Sequence, residues 1–232
     1  MSYLNLIMKT LVKIIATIAV FGGGFFAYQS VNAADITGDA GVSYSDTRTF
    51  RGVKQADDTL GVNVGLATSL AEKVSLGVSL DSFNALEAGQ TNELRTGVSL
   101  GYDVSETIGL SVGYTNYDYQ SATSNNEIGL GVSVKTLLNP SILYAMDSDN
   151  DSDVAELSVS HTISLNEQFG LTLDGSLGNV DAAADYNYHS LGATINTSVG
   201  GADTFVGIAL VDNDNAGSDS ETVFSVGMSL SF

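Results

Sequence analysis

Cysteine and tryptophan are absent from this chain of 232 residues, and Pro140 is its single proline. Without cysteine there is no disulfide framework, no thiolate metal site and no cysteine nucleophile. Basic residues are scarce as well: eight Lys and Arg stand against 27 Asp and Glu, a formal charge of −19. So acidic a surface repels nucleic acid and offers no polybasic patch to anionic lipid. Long hydrophobic runs are missing too. The best, Ile14 to Phe26, is shorter than the ~20 residues a spanning helix needs.

What is present begins with that run. Lys9 and Lys13 precede it, and Val31-Asn32-Ala33 follows with small residues at the −3 and −1 positions of a cleavage point. We expect a cleavable secretory signal peptide over residues 1–33 and a mature chain over residues 34–232. Met8 makes a more usual start for such a leader than Met1, and an N-terminal membrane anchor is the alternative. Removing the two leader lysines leaves 6 basic residues against 27 acidic ones, a net of −21.

Beyond the leader, apolar residues alternate with small polar ones about a dozen times. Leu60, Val62, Val64, Leu66 and Leu70 share one parity, and Gly61, Asn63, Gly65, Ala67 and Ser69 the other. Ile128, Leu130 and Val132 repeat the pattern against Gly129, Gly131 and Ser133. The last stretch does so once more, with Phe224, Val226, Met228, Leu230 and Phe232 opposite Ser225, Gly227, Ser229 and Ser231. Successive strand side chains point to opposite faces, so each stretch is a strand with one greasy side. Twelve strands are counted. Ten or fourteen stay open, because residues 45–60 and the stretch around Val206, Ile208 and Leu210 are weakly patterned.

Short turns at residues 71–73, 105–107, 136–139, 166–168 and 200–203 alternate with longer polar segments near 51–58, 84–93, 118–126, 147–153, 178–187 and 212–221. Short turns on one side and long loops on the other are the habit of outer-membrane barrels. A soluble sandwich also has one apolar face per strand, but its other face would carry many charged residues. Glycine and serine suit the concave inside of a barrel. Leu60 to Leu70, at 3.4 Å per residue and ~40° of tilt, rises about 28 Å, enough to span an outer membrane. Outward aromatics fall at two levels, Tyr102, Phe169 and Phe232 at one edge and Tyr44, Tyr114, Tyr144 and Phe224 at the other, as interfacial girdles do. The fold expected is all-β, a single antiparallel up-and-down transmembrane barrel. Its radius of roughly 12 Å leaves room for a water-filled bore.

Parity places Arg51, Asp81, Arg95, Asp103, Lys135, Glu156 and Asp174 inside as pore-lining candidates. Arg95 and Asp81 on adjacent strands suit either a cross-lumen field that orients solutes or a wall-bracing ion pair. Residues 47–58 hold three of the six mature basic residues. Phe50, Arg51, Gly52, Gln55 and Asp57 within them resemble the phenylalanine-arginine-glycine stretch after the first strand in the TorF-like family of outer-membrane porins. The chain's closing aromatic likewise resembles the terminal strand of such barrels, where Phe224, Val226, Met228, Leu230 and Phe232 would be read by the barrel-assembly machinery. The resemblance implies a channel in the bacterial outer membrane and supplies no catalytic residues.

Asp147, Asp149, Asp151 and Asp153 alternate in one loop, which points weakly to calcium, but the central glycine and terminal glutamate of a calcium loop are missing. Solvated loops sharing divalent cations with lipopolysaccharide fit better. Membrane-barrel phospholipases also have twelve strands, so outward-facing His161 invites a hydrolase reading; its neighbours Val159 and Ile163 offer no nucleophile. His189 has Asp185 nearby and again no nucleophile. No cofactor is implied. The expectation is a porin-like channel for small hydrophilic solutes or ions, mildly favouring cations. A closed structural or adhesive barrel is the alternative, and a lipid hydrolase the second.

Overall fold

A computed structural model describes residues 36–120, 122–215 and 217–232; the expected leader lies outside them. Twelve strands and no helix occur among the described residues: β1 (Ile36–Phe50), β2 (Val53–Ala71), β3 (Val74–Ala85), β4 (Glu93–Asp103), β5 (Ile108–Tyr119), β6 (Asn125–Val134), β7 (Ser141–Asp147), β8 (Ser152–Ser164), β9 (Phe169–Asp181), β10 (Tyr186–Val199), β11 (Ala202–Asn213) and β12 (Glu221–Ser231). Each pairs antiparallel with its sequence neighbours, and β1 pairs with β12 to close the barrel. Closure removes every free sheet edge.

The seam runs from Asp39 opposite Ser231 to Ser45 opposite Ser225. It is extended at the end by two bonds between Gly38 and Phe232, N–H to C=O at 2.7 Å and 2.9 Å. The terminal Phe232 is therefore the last rung of the barrel. Ten of the registers run without a shift. Bulges occur between Arg48 and Thr49 of β1 and between Ser69 and Ala71 of β2.

Parity decides which side chains look out. Val62, Leu110 and Val226 are about two-fifths exposed on the outer surface, so these aliphatics do not meet across the centre. Buried on the opposite parity are Thr115, Thr172, Thr194 and Ser225. A soluble fold would reverse this, placing its greasy side inside. The strand near Val206, weakly patterned in sequence, is the regular β11.

One expectation fails at residues 51–58, read as a long loop. β2 begins at Val53, and only Arg51 and Gly52 connect it to β1. Both have positive φ, 50° and 78°, the mark of the type I′ turn whose twist matches paired strands. Gly200 and Gly201 make the same kind of two-residue turn between β10 and β11.

Candidate functional site: the external mouth and its inward hairpin

The β1–β2 hairpin leaves the wall. The β1–β12 ladder stops at Ser45, and the β2–β3 ladder starts at Thr59 opposite Ala85. Between them, residues 46–58 pair as strands only with one another. Backbone groups stranded at the exit find other partners, as buried polar groups must. The Phe224 N–H donates to the Asp46 carboxylate at 2.8 Å, and the Leu86 N–H donates to the Asp58 carbonyl at 2.7 Å. Asp58 itself has φ 42°, and its carboxylate accepts the Tyr44 hydroxyl.

From this base the hairpin crosses the mouth inside the rim. Arg48 donates to Glu93 of β4 at 2.6 Å. The Phe50 ring lies 5.7 Å from that of Tyr117 on β5. At the tip, Arg51 holds Glu127 of β6 through two bonds, 2.5 Å and 2.9 Å, and Tyr117 donates to the same carboxylate at 2.7 Å. On the opposite side, Asn213 of β11 donates to the Gly52 carbonyl at 2.6 Å. Gly52 also lies so close to Tyr188 of β10 that a β-carbon would collide with it. Tyr188 donates to Glu156 at 2.5 Å and packs with Ala145, Val154 and Val180.

Arg95 of β4 sits beneath the hairpin, 2% exposed, with Glu93 as an ion-pair partner. Its guanidinium stacks 4.4 Å from the Phe50 ring centre and 5.0 Å from those of Phe83 and Tyr117. Arg48 lies 4.1 Å over Phe83. Aromatic faces stabilise cations most where water is excluded. Burial opposes the charge on Arg51, but the bound Glu127 carboxylate outweighs it and moves the guanidinium further up. The mouth at this end, away from both termini of the barrel seam, is thus filled by alternating arginines, carboxylates and rings.

Of the residues expected inside, Arg51 and Arg95 belong to this cluster. Asp81 stands opposite Arg95 and Asn63 in register. Glu156 joins through Tyr188. Asp174 faces inward opposite Gly192, where its carboxylate occupies the space a β-carbon would need. Asp103 and Lys135 meet at the short-turn end, 4.0 Å apart. Glu93, Glu127, Phe83, Tyr117 and Tyr188 were missed. The available signal was bulk on the small-residue parity: Phe83 follows Ser75, Gly77, Ser79 and Asp81 on its face, and Tyr117 follows Gly109, Ser111, Gly113 and Thr115.

The loop carboxylates do not converge. Asp147 accepts from Asn125 at 2.6 Å and Asn150 at 2.7 Å, Asp149 from Asn126 at 2.8 Å, and Asp153 from Tyr144 at 2.7 Å. Asp151 occupies a turn with φ 49°. Among the described residues no three His, Asp or Glu side chains come together as a metal would require. In the loop after β11, hydrogen bonds from the Asn187 side chain and backbone hold the Asp214 carboxyl below its ordinary range.

No family model matches the chain, and no curated protein does. Among solved structures, the KdgM porin matches at 12% identity and a TM-score of 0.55, covering 84% of this chain and 99% of that one. The NanC porin matches at 12% and 0.56, covering 82% and 98%. An outer-membrane channel from Pseudomonas putida F1 matches at 11% and 0.58, covering 90% and 100%. At such identity the likeness is one of fold: a closed antiparallel β-barrel like those of these outer-membrane proteins.

Proposed function

We propose that the chain, cleaved after Ala33, is an outer-membrane channel of a Gram-negative bacterium for passive diffusion of small hydrophilic solutes or ions. One observation carries the reading. A closed sheet puts a continuous aliphatic side outward, while its inward side is mostly glycine, serine and threonine along the wall, with small apolar clusters around Val154 and Val211, the arrangement of a polar path through hydrocarbon. A relative in fold, the KdgM porin, has been solved in complex with disordered oligogalacturonate, a solute of the hydrophilic class meant here. The acidic external loops share divalent cations with lipopolysaccharide. Phe224 to Phe232 present the barrel-assembly machinery with its signal.

The filled mouth supports a second reading, a closed structural or adhesive barrel. Planar-bilayer recording of purified protein separates the two: stepwise currents are expected, and silence from well-folded protein would favour the closed barrel. A catalytic role is not proposed. His161 binds the Leu137 carbonyl through Nδ1 at 2.7 Å and stands opposite Leu173 in the β8–β9 ladder.

Selectivity follows from charge placement. Arg48, Arg51 and Arg95 are engaged with Glu93 and Glu127, whereas among the described residues no Lys, Arg or His nitrogen lies within 4.0 Å of the Asp81 or Asp174 carboxylate. A salt-gradient reversal potential should report cations over anions by about twofold, since fixed carboxylates enrich counter-ions. Asp81→Asn combined with Asp174→Asn should bring the ratio toward one. Anion preference in the parent protein would overturn the acidic-lining argument and implicate Arg51, Arg95 and Lys135.

A further inference from the structure

We infer that residues 46–58 form a hinged gate, closed in this structure and opening outward about the Ser45–Thr59 pair. The inference rests on the channel reading above and adds how the path is controlled.

Three features distinguish a gate from a fixed plug. The first is mechanical independence. The hairpin's strands bond to each other across a bulge and a type I′ turn, and neither continues the wall ladders of β12 or β3. It can therefore move as a unit without breaking the barrel's sheet. The second is the pivot. Asp46 and Asp58 are fixed to β12 and to the start of the β3–β4 connection, so the base stays anchored while the tip swings.

The third is what holds the tip. A plug seated by apolar packing would resist leaving, because departure exposes oily surface to water. Here the far contacts are mostly polar, Arg48 on Glu93, Arg51 on Glu127 and Asn213 on the Gly52 carbonyl, with the Phe50 ring on Tyr117 and Gly52 against Tyr188 as the smaller apolar part. Lys54, one rung from the turn, reaches Glu221 at 3.9 Å, and nearer the base the Asp57 N–H donates to the Gln90 side chain at 2.8 Å. Buried ion pairs give up most of their attraction to desolvation, so separating both partners into water costs little compared with exposing an apolar core. Removing one partner while the other stays buried is the expensive case. The seat is thus selective for the closed geometry yet cheap to leave.

Single-channel recording tests the gate. The parent barrel should alternate between closed and open levels. Arg51→Gln should raise the open-to-closed ratio about tenfold through loss of one charge pair. Replacing residues 46–58 with Asn-Gly joins Ser45 to Thr59, already paired opposite each other, through a two-residue turn. That trimmed barrel should stay open. Locking the hairpin should abolish the open level. In an Asp57→Asn background, which removes the competing carboxylate beside Lys54, a water-soluble carbodiimide joins the Lys54 amine to the Glu221 carboxylate. The amide forms as the reagent takes up the lost water to become a urea, and peptide mass spectrometry verifies the bond.

A parent current unchanged by both cross-linking and trimming would overturn the gate and leave the channel reading standing. So would a parent that never opens while the trimmed barrel conducts, which would make the hairpin a fixed plug. Silence from the trimmed barrel, with folding verified by its heat-sensitive gel mobility, would overturn the channel reading itself.

Discussion

Glu93→Ala is expected to destabilise the barrel by about 3 kcal/mol, at the lower end of what losing one partner of a buried pair costs. Glu93 is 3% exposed and serves two arginines with different freedoms. Arg48 belongs to the hairpin and can follow it into water. Arg95 belongs to the β4 wall and cannot, so its guanidinium remains among Phe50, Phe83 and Tyr117 without the Glu93 carboxylate. Rings soften that penalty by about 2 kcal/mol, which is less than the several kcal/mol that desolvating a guanidinium costs. Urea titration in lipid vesicles, followed by circular dichroism, measures the loss. Glu93→Ala with Arg95→Met should recover most of it, because an apolar side chain has no charge to leave buried. A loss under about 1 kcal/mol for the single variant would show that Arg95 does not depend on Glu93.

Gly227→Val should do more damage to assembly than any outward substitution on the same strand. A β-carbon on Gly227 would lie 2.5 Å from the Phe205 ring and 2.7 Å from the Val42 carbonyl oxygen. The ring can turn away. The carbonyl cannot, because Val42 is paired with Met228 in the seam that closes the barrel. Overpacking of this kind costs about 1–3 kcal/mol, and here the strain falls on the ladder whose formation completes the fold. The fraction of protein showing heat-sensitive gel mobility should drop sharply. Gly227→Ala should show a smaller drop, and adding Phe205→Ala should relieve it in part, since the backbone contact persists. Folding of Gly227→Val at the parent level would contradict the close approach.

The two sites differ in how far sequence alone leads to them. Gly227 is marked as inward by its place between Val226 and Met228, so its face was legible. That a carbonyl of β1 approaches it was not, because that contact joins residues from the two ends of the barrel. Glu93 was read as loop. Yet Arg95 was already placed inside, and two residues along a strand return to the same face. The strand simply starts earlier than its aliphatic pattern, which begins at Leu94. Where a strand passes the hydrocarbon it need not alternate in the same way, and periodicity falls silent at the ends.

The hairpin shows the same limit more strongly. Its residues face protein on one side and water at Lys54 and Gln55 on the other, so nothing enforced an apolar parity, and the bulge at Arg48 and Thr49 broke what remained. The turn chemistry did survive: Gly52 takes the second positive-φ position of a two-residue turn, and Arg51 tolerates the first. Its arginines were conspicuous in so acidic a chain, but their partners on β4 and β6 lie 45 and 76 residues away.

Alternation by itself determined that the chain is a barrel, how its strands run and which side meets lipid, because every second side chain must satisfy the same solvent over a dozen passes. The tertiary structure decided that the mouth is filled, since that depends on charges and rings brought together from distant strands. Periodicity is a local constraint imposed by the surroundings. Charge pairing across a lumen is a long-range one, and only the closed sheet sets its distances.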